Sequence, residues 1–245
     1  MEYINKCNQA LFIPYYLHFE NLRWKTSQSS YQKYDYKNFS PIKSNIRDLL
    51  IDEQQDKCCY CLKALAKNSS TTLEHLYPRN PISGTIFNTY VITCIDSRTF
   101  DYSIQNIPNA QLDNLPHDIS YYNLLACCEK CNKERGNKNI LPFIFDSAIK
   151  TKFLYNDQGN IFSQQYFSEI VSIGLADDYY KRNRKIWRII KNNFSHNNFP
   201  VDLKTEIRTI ASALYLAEND PYYLSIVNND DIVNDTIKYK YFFDN

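Results

Sequence analysis

No stretch of the 245 residues approaches the ~18 consecutive apolar residues that a bilayer-spanning helix needs, so the sequence predicts a soluble protein without a membrane span. The opening MEYINKCNQALF has no basic segment followed by an apolar one and a small-residue cleavage site, and nothing in it marks the chain for export. A cytoplasmic location is expected, and in that reducing compartment thiols stay available for metal. Charge of one sign is also missing. With 28 Lys and Arg against 27 Asp and Glu, the formal net charge is +1, which excludes a protein that holds nucleic acid by bulk positive charge and leaves such contact to local patches. Internal repeats and low-complexity tracts are absent. The four glycines stand against many Asn, Lys, Ile and Tyr residues, all encoded by A/T-rich codons, which speaks of origin and not of chemistry.

Cysteine, by contrast, is plentiful and clustered. Six of the eight cysteines fall in CCYCLKAL and YYNLLACCEKCNKERGNK. Four disulfides would account for eight cysteines in a secreted protein, but no export signal supports that. A Cys-x-x-Cys pair presents two thiolates from one turn of chain, and two such pairs close a tetrahedral shell around one structural zinc ion. Cys58 and Cys61 form one half-site, Cys128 and Cys131 the other. Cys59 and Cys127 adjoin the pairs and could replace their neighbours; Cys7 and Cys94 read as buried small hydrophobes.

Residues 1–40 form an aromatic-rich segment without clean periodicity. Ser40 and Pro41 predict a helix start, and Ile42, Ile46, Leu49 and Leu50 then share one face of a helix running into the first cysteine pair. TTLEHLYP, TYVITCI and YYNLLACC read as strands, Ile104 to Ile119 as a loop, and NKERGNK as one or two helical turns ended by Gly136. Beyond about residue 145, long amphipathic helices are expected. In DDYYKRNRKIWRIIKNNF, helical spacing sets Tyr179, Ile186, Trp187, Ile190 and Phe194 against a basic face of Lys181, Arg184, Lys185, Arg188 and Lys191. That face reads as a solvated surface in the first instance and as a nucleic-acid or partner patch in the second. A second helix is predicted from about Asp202 to Ala217.

Between the cysteine pairs lie the residues that separate a binding module from an enzyme. Thr-Leu-Glu-His-Leu-Tyr-Pro-Arg sets a carboxylate beside an imidazole, and Asn132 directly follows the last cysteine. Glu74 and Asn132 supply oxygen ligands of the kind Mg²⁺ or Mn²⁺ prefers, and His75 has the near-neutral pKa of a general base. Arg79, Arg135 and Lys138 lie close in sequence and are candidates for phosphate contact. On an ideal strand Glu74 and His75 point to opposite faces, so a shared cation requires both to sit where the strand gives way to a loop.

EHLYP followed by YNLLACCEKCN resembles the HNH endonucleases, the zinc-stapled branch of the ββα-metal nucleases, over Cys58 to about Lys138. The resemblance implies that His75 is the general base, that Asn123 braces the loop carrying it, and that Asn132 and Glu74 hold the catalytic cation. Asn stands here at the third position of the family's name, which keeps an oxygen ligand. About 48 residues separate His75 from Asn123, which reads as an insertion. More broadly, residues 41 to 195 are similar to the HNH subunit of Septu-type anti-phage systems, which implies an ATPase partner and, in some systems, a retron.

The expected fold class is therefore α+β, a small ββα-metal HNH core stapled by a four-cysteine zinc site and surrounded by N-terminal and C-terminal helices. Expected domains are 1–40, a nuclease domain over 41–145 and a helical region over 146–245 suited to partner docking. The competing function is a zinc-stapled nucleic-acid- or protein-binding subunit whose HNH site is inactive.

Overall fold

The structure, a computed structural model, describes residues 4, 36–75, 89–96, 99–105, 124–138, 149–195 and 198–243. Among these, helices combine with three small antiparallel strand pairs, an α+β arrangement. The chain divides into two units, Met1–Tyr60 with Leu65–Thr151, and Cys61–Ala64 with Lys152–Asn245.

In the first unit, helix α1 spans Tyr36–Glu53. It begins before the expected Ser40–Pro41 start, so Pro41 lies inside it and leaves one helical carbonyl without an N–H donor. Ile46, Leu50 and Ile51 are buried. Gln55 and Asp56 then adopt left-handed φ angles of 53° and 60°, and the Asp56 N–H closes on the Ile51 carbonyl at 2.9 Å. This reversal leads the chain into the first cysteine pair.

Strand β1 is Thr71–His75. The hairpin strands β2 (Thr89–Asp96) and β3 (Thr99–Gln105) pair with each other, so Ile104 and Gln105, expected in a loop, lie in a strand; the rest of that predicted loop lies outside the described residues. Strand β4 is Leu124–Cys128, and it pairs with β1 in a register that runs from Thr71↔Cys128 to His75↔Leu124. At the outer edge of β4 the buried Gln54 amide accepts from Ala126 N–H and donates to Ala126 C=O, both at 2.7 Å, and Cys59 N–H donates to the same carbonyl at 3.3 Å. A buried strand edge must find such partners or lose several hydrogen bonds. Every residue of β4 is buried.

Helix α2, Glu129–Arg135, follows β4 without a gap and packs on both strands. Gly136 ends it as predicted, at φ 52°, with its N–H on the Asn132 carbonyl at 3.0 Å. Glycine accepts that left-handed conformation at no steric cost.

The second unit is mainly helical. After α3 (Ile149–Lys152) come the short strands β5 (Leu154–Tyr155) and β6 (Ile161–Phe162) and helix α4 (Phe167–Ser172), none of which periodicity announced. Helix α5 is Asp178–Asn193, and α6 is Leu203–Glu218, capped by Asp202, which accepts from Thr205 N–H at 3.1 Å. Helices α7 (Pro221–Asn228) and α8 (Asp230–Ile237) complete the unit.

Three of the five cations on the basic face of α5 turn inward and do not form a solvated surface. Arg184 is buried and donates to the carbonyls of Gly159 and Leu175 at 2.6 and 2.9 Å; Lys185 is buried beside Gln158 and Glu218; Arg188 donates to Tyr155 C=O at 2.9 Å. Burial lowers the Arg184 pKa to about 10. On the apolar side Trp187 is fully buried and donates to Thr236 C=O at 2.8 Å. These three cations are spent within the unit, Arg184 and Arg188 on backbone carbonyls and Lys185 on the Glu218 carboxylate and the Gln158 amide oxygen. Among the described residues, no helix is long and apolar enough to cross a membrane.

Candidate metal centre and hydrolytic site

The Sγ atoms of Cys58, Cys61, Cys128 and Cys131 lie within 4.8 Å of one another, and all four side chains are buried. The arrangement could hold a metal ion, and its donor set matches the all-thiolate tetrahedral shell of structural zinc. Each half-site has its own origin. Cys58 and Cys61 sit on the turn after α1, and Cys128 and Cys131 on the β4–α2 junction, where one helical turn brings the second thiol under the first. Leu62, next to Cys61, is buried at φ 60°, a strained conformation for a branched residue that persists only where its surroundings dictate it.

Burial alone would raise the Cys58 pKa, but hydrogen bonds from the thiols of Cys127, Cys128, Cys131 and Cys59 bring it well below the usual value. Burial pushes Cys59 and Cys127 well up. Cys7 and the Cys94 side chain lie outside the described residues.

His75 ends β1 opposite Leu124 and is partly exposed, whereas Glu74 is 1 % exposed. The pleat thus directs them to opposite faces, as strand geometry requires. Glu74 meets two partners there: the Tyr60 hydroxyl donates to its Oε1 at 2.9 Å, and Arg135 Nη1 lies 3.0 Å from the same oxygen. Burial raises the Glu74 pKa, and the Arg135 charge and the Tyr60 hydrogen bond pull it back, leaving it at about 7. Tyr60 is pushed well above its ordinary value, first by burial and then by the Glu74 charge.

Arg135 requires a correction. It was expected to contact phosphate, yet it is 2 % exposed and ion-paired with Glu74 inside the unit. The sequence carried a signal for this: Arg135 lies four residues after the buried Cys131, and i,i+4 spacing on a helix selects one face. Tyr60 and Gln54 gave no such signal, because their partners are on strands distant in sequence.

Asn132 is half-buried on α2, one turn before Arg135. Lys138 is exposed, and its Nζ donates to the Glu134 carbonyl at 2.9 Å. Asn123 and Arg79 lie outside the described residues. Among the described residues, the close groups of three or more Cys, His, Asp or Glu side chains consist of cysteines alone, so no acidic cluster accompanies His75. Neither a family model, nor a curated protein, nor a solved structure matches the chain.

Proposed function

We propose that the chain is a metal-dependent HNH-type endonuclease that hydrolyses phosphodiester bonds of nucleic acid, DNA in the first instance and structured RNA such as tRNA in the second. The observation that carries this reading is the order of elements at the sulfur cluster. β1 ends on His75 and pairs with β4, β4 runs directly into α2, and α2 bears Asn132 one position after the last cysteine. A small ββα unit with a base at the end of its first strand and an oxygen donor on its helix is what the resemblance requires.

His75 takes the proton from the attacking water. Asn132 offers its amide oxygen to a hard divalent cation, Mg²⁺ or Mn²⁺; Glu74, on the opposite face of β1 from His75 and ion-paired with Arg135, does not share that cation. Such a cation, when bound, offsets the charge that develops on the phosphate and the leaving 3′ oxygen. Arg135 and Tyr60 hold the Glu74 carboxyl in place, and Arg135 also ties the helix of Asn132 to the strand of His75. The sulfur cluster, loaded with structural zinc, staples these elements and takes no part in the chemistry. An ATPase subunit of an anti-phage complex as partner, sometimes with a retron, rests on the sequence resemblance, and so does a cytoplasmic location.

One observation favours the alternative, a binding subunit with an inactive site: the carboxylate beside His75 is already ion-paired. Cleavage separates the two. His75→Ala should lose about 10²–10⁴-fold in cleavage with Mg²⁺ or Mn²⁺ while keeping its bound metal and its substrate affinity. A wild-type chain that cuts no DNA or RNA with any cation, alone or with an ATPase neighbour, decides for the binding subunit.

A further inference from the structure

We propose that the thiols outside the two Cys-x-x-Cys pairs form a second metal position, in which Cys59, Cys127 and a shared Cys58 take a thiophilic divalent cation beside the four-cysteine shell. The Sγ atoms of these three residues lie within 4.8 Å of one another, and all three side chains are buried. Cys58 and Cys127 are 3.7 Å apart, Sγ to Sγ. Two thiolates on one tetrahedral ion, each at about 2.3 Å, stand roughly 3.8 Å apart, so the separation is that of ligands to one ion.

Strand geometry explains why a second position arises. Cys127 and Cys128 are adjacent on β4, and the pleat directs their side chains to opposite faces. Cys58 nevertheless reaches both, its Sγ lying 3.7 Å from that of Cys127 and within 4.8 Å of that of Cys128. It stands between the shell that Cys128 joins and the thiols of Cys127 and Cys59, where a bridging sulfur belongs.

Charge selects the class of ion. A second divalent cation brings two new thiolates with it, so the net charge of the buried cluster does not change. A monovalent ion would add an uncompensated negative charge to a buried site. All three donors are thiolate sulfurs, so the softer Cd²⁺ is favoured over Zn²⁺ at this position.

Zinc-loaded full-length protein should be titrated with Cd²⁺, desalted and analysed for total metal, with ¹¹³Cd NMR of the fully exchanged sample. Wild type should retain roughly two ions per chain and give two thiolate-range resonances; Cys59→Ala/Cys127→Ala should retain about one ion and give one. A wild-type chain that stops at a single ion at saturating Cd²⁺ overturns the proposal, and this count does not depend on how the variant folds. A well-folded double variant that still holds two ions overturns the ligand assignment.

Discussion

Replacing Arg135 by Met tests whether the buried tie between β1 and α2 is real. The guanidinium and the Glu74 carboxylate are 2 % and 1 % exposed and 3.0 Å apart. Removal of one member of such a pair typically costs about 3–5 kcal/mol, because the other is left as an uncompensated buried charge, whereas an exposed pair is worth about 0–1 kcal/mol. The cost should depend on pH. The Arg135 charge holds the Glu74 pKa down to about 7, so near pH 8 the wild-type carboxyl is mostly ionised, and Arg135→Met forces it either to stay charged and unpaired or to take up a proton. Near pH 5 the carboxyl is protonated with or without Arg135, and the loss should be smaller than at pH 8 by about 1.4 kcal/mol, the most that proton uptake one unit above the wild-type pKa can add. Urea unfolding followed by circular dichroism, at both pH values and with equal bound metal, measures the difference. If the variant loses less than about 1 kcal/mol at pH 8, Arg135 is not buried against Glu74. If it instead loses nucleic-acid affinity at unchanged stability, Arg135 is the phosphate contact that the sequence first implied.

Glu74→Gln addresses the same group from the other side. The folded-state pKa is raised, so the folded protein binds more protons than the unfolded chain between the ordinary carboxyl range and about 7. Wild type should therefore lose about 3 kcal/mol relative to the variant as pH rises through that window, and nothing further above it; equal pH profiles would contradict this. Cys131→Ser removes one sulfur of the four-cysteine shell, and metal analysis should show loss of the roughly one zinc per chain together with loss of folded signal; a soluble, folded, zinc-free variant would argue against a staple. Gly159→Ala should destabilise the second unit by more than about 2 kcal/mol in thermal unfolding: φ is +76°, and the added Cβ would lie 2.1 Å from the Lys181 carbonyl oxygen. Asn132→Ala should weaken cleavage in a way that high Mn²⁺ partly restores, because it removes a cation ligand and leaves the base in place.

Local spacing was enough for several features. The two Cys-x-x-Cys pairs, the strand ending in Glu74 and His75, a helix with its Gly136 stop, which begins at Glu129 and not after Cys131, and helices α5 and α6 follow from short-range rules of chelation, alternation and 3.6-residue periodicity. Each rule involves neighbours in the chain, so each is written in the sequence. What a charge does once it is folded is not local. Arg135 and Arg184 look alike as letters on helices; tertiary packing set one against Glu74 and the other against two carbonyls. Hydropathy assigns both to water, and only the partners supplied by distant segments offset the loss of hydration. The same holds for Gln54, which closes an edge 72 residues away, and for Cys59 and Cys127. Sequence makes them neighbours of the metal pairs; only the pairing of β1 with β4 and the turn after α1 put their sulfurs beside Cys58.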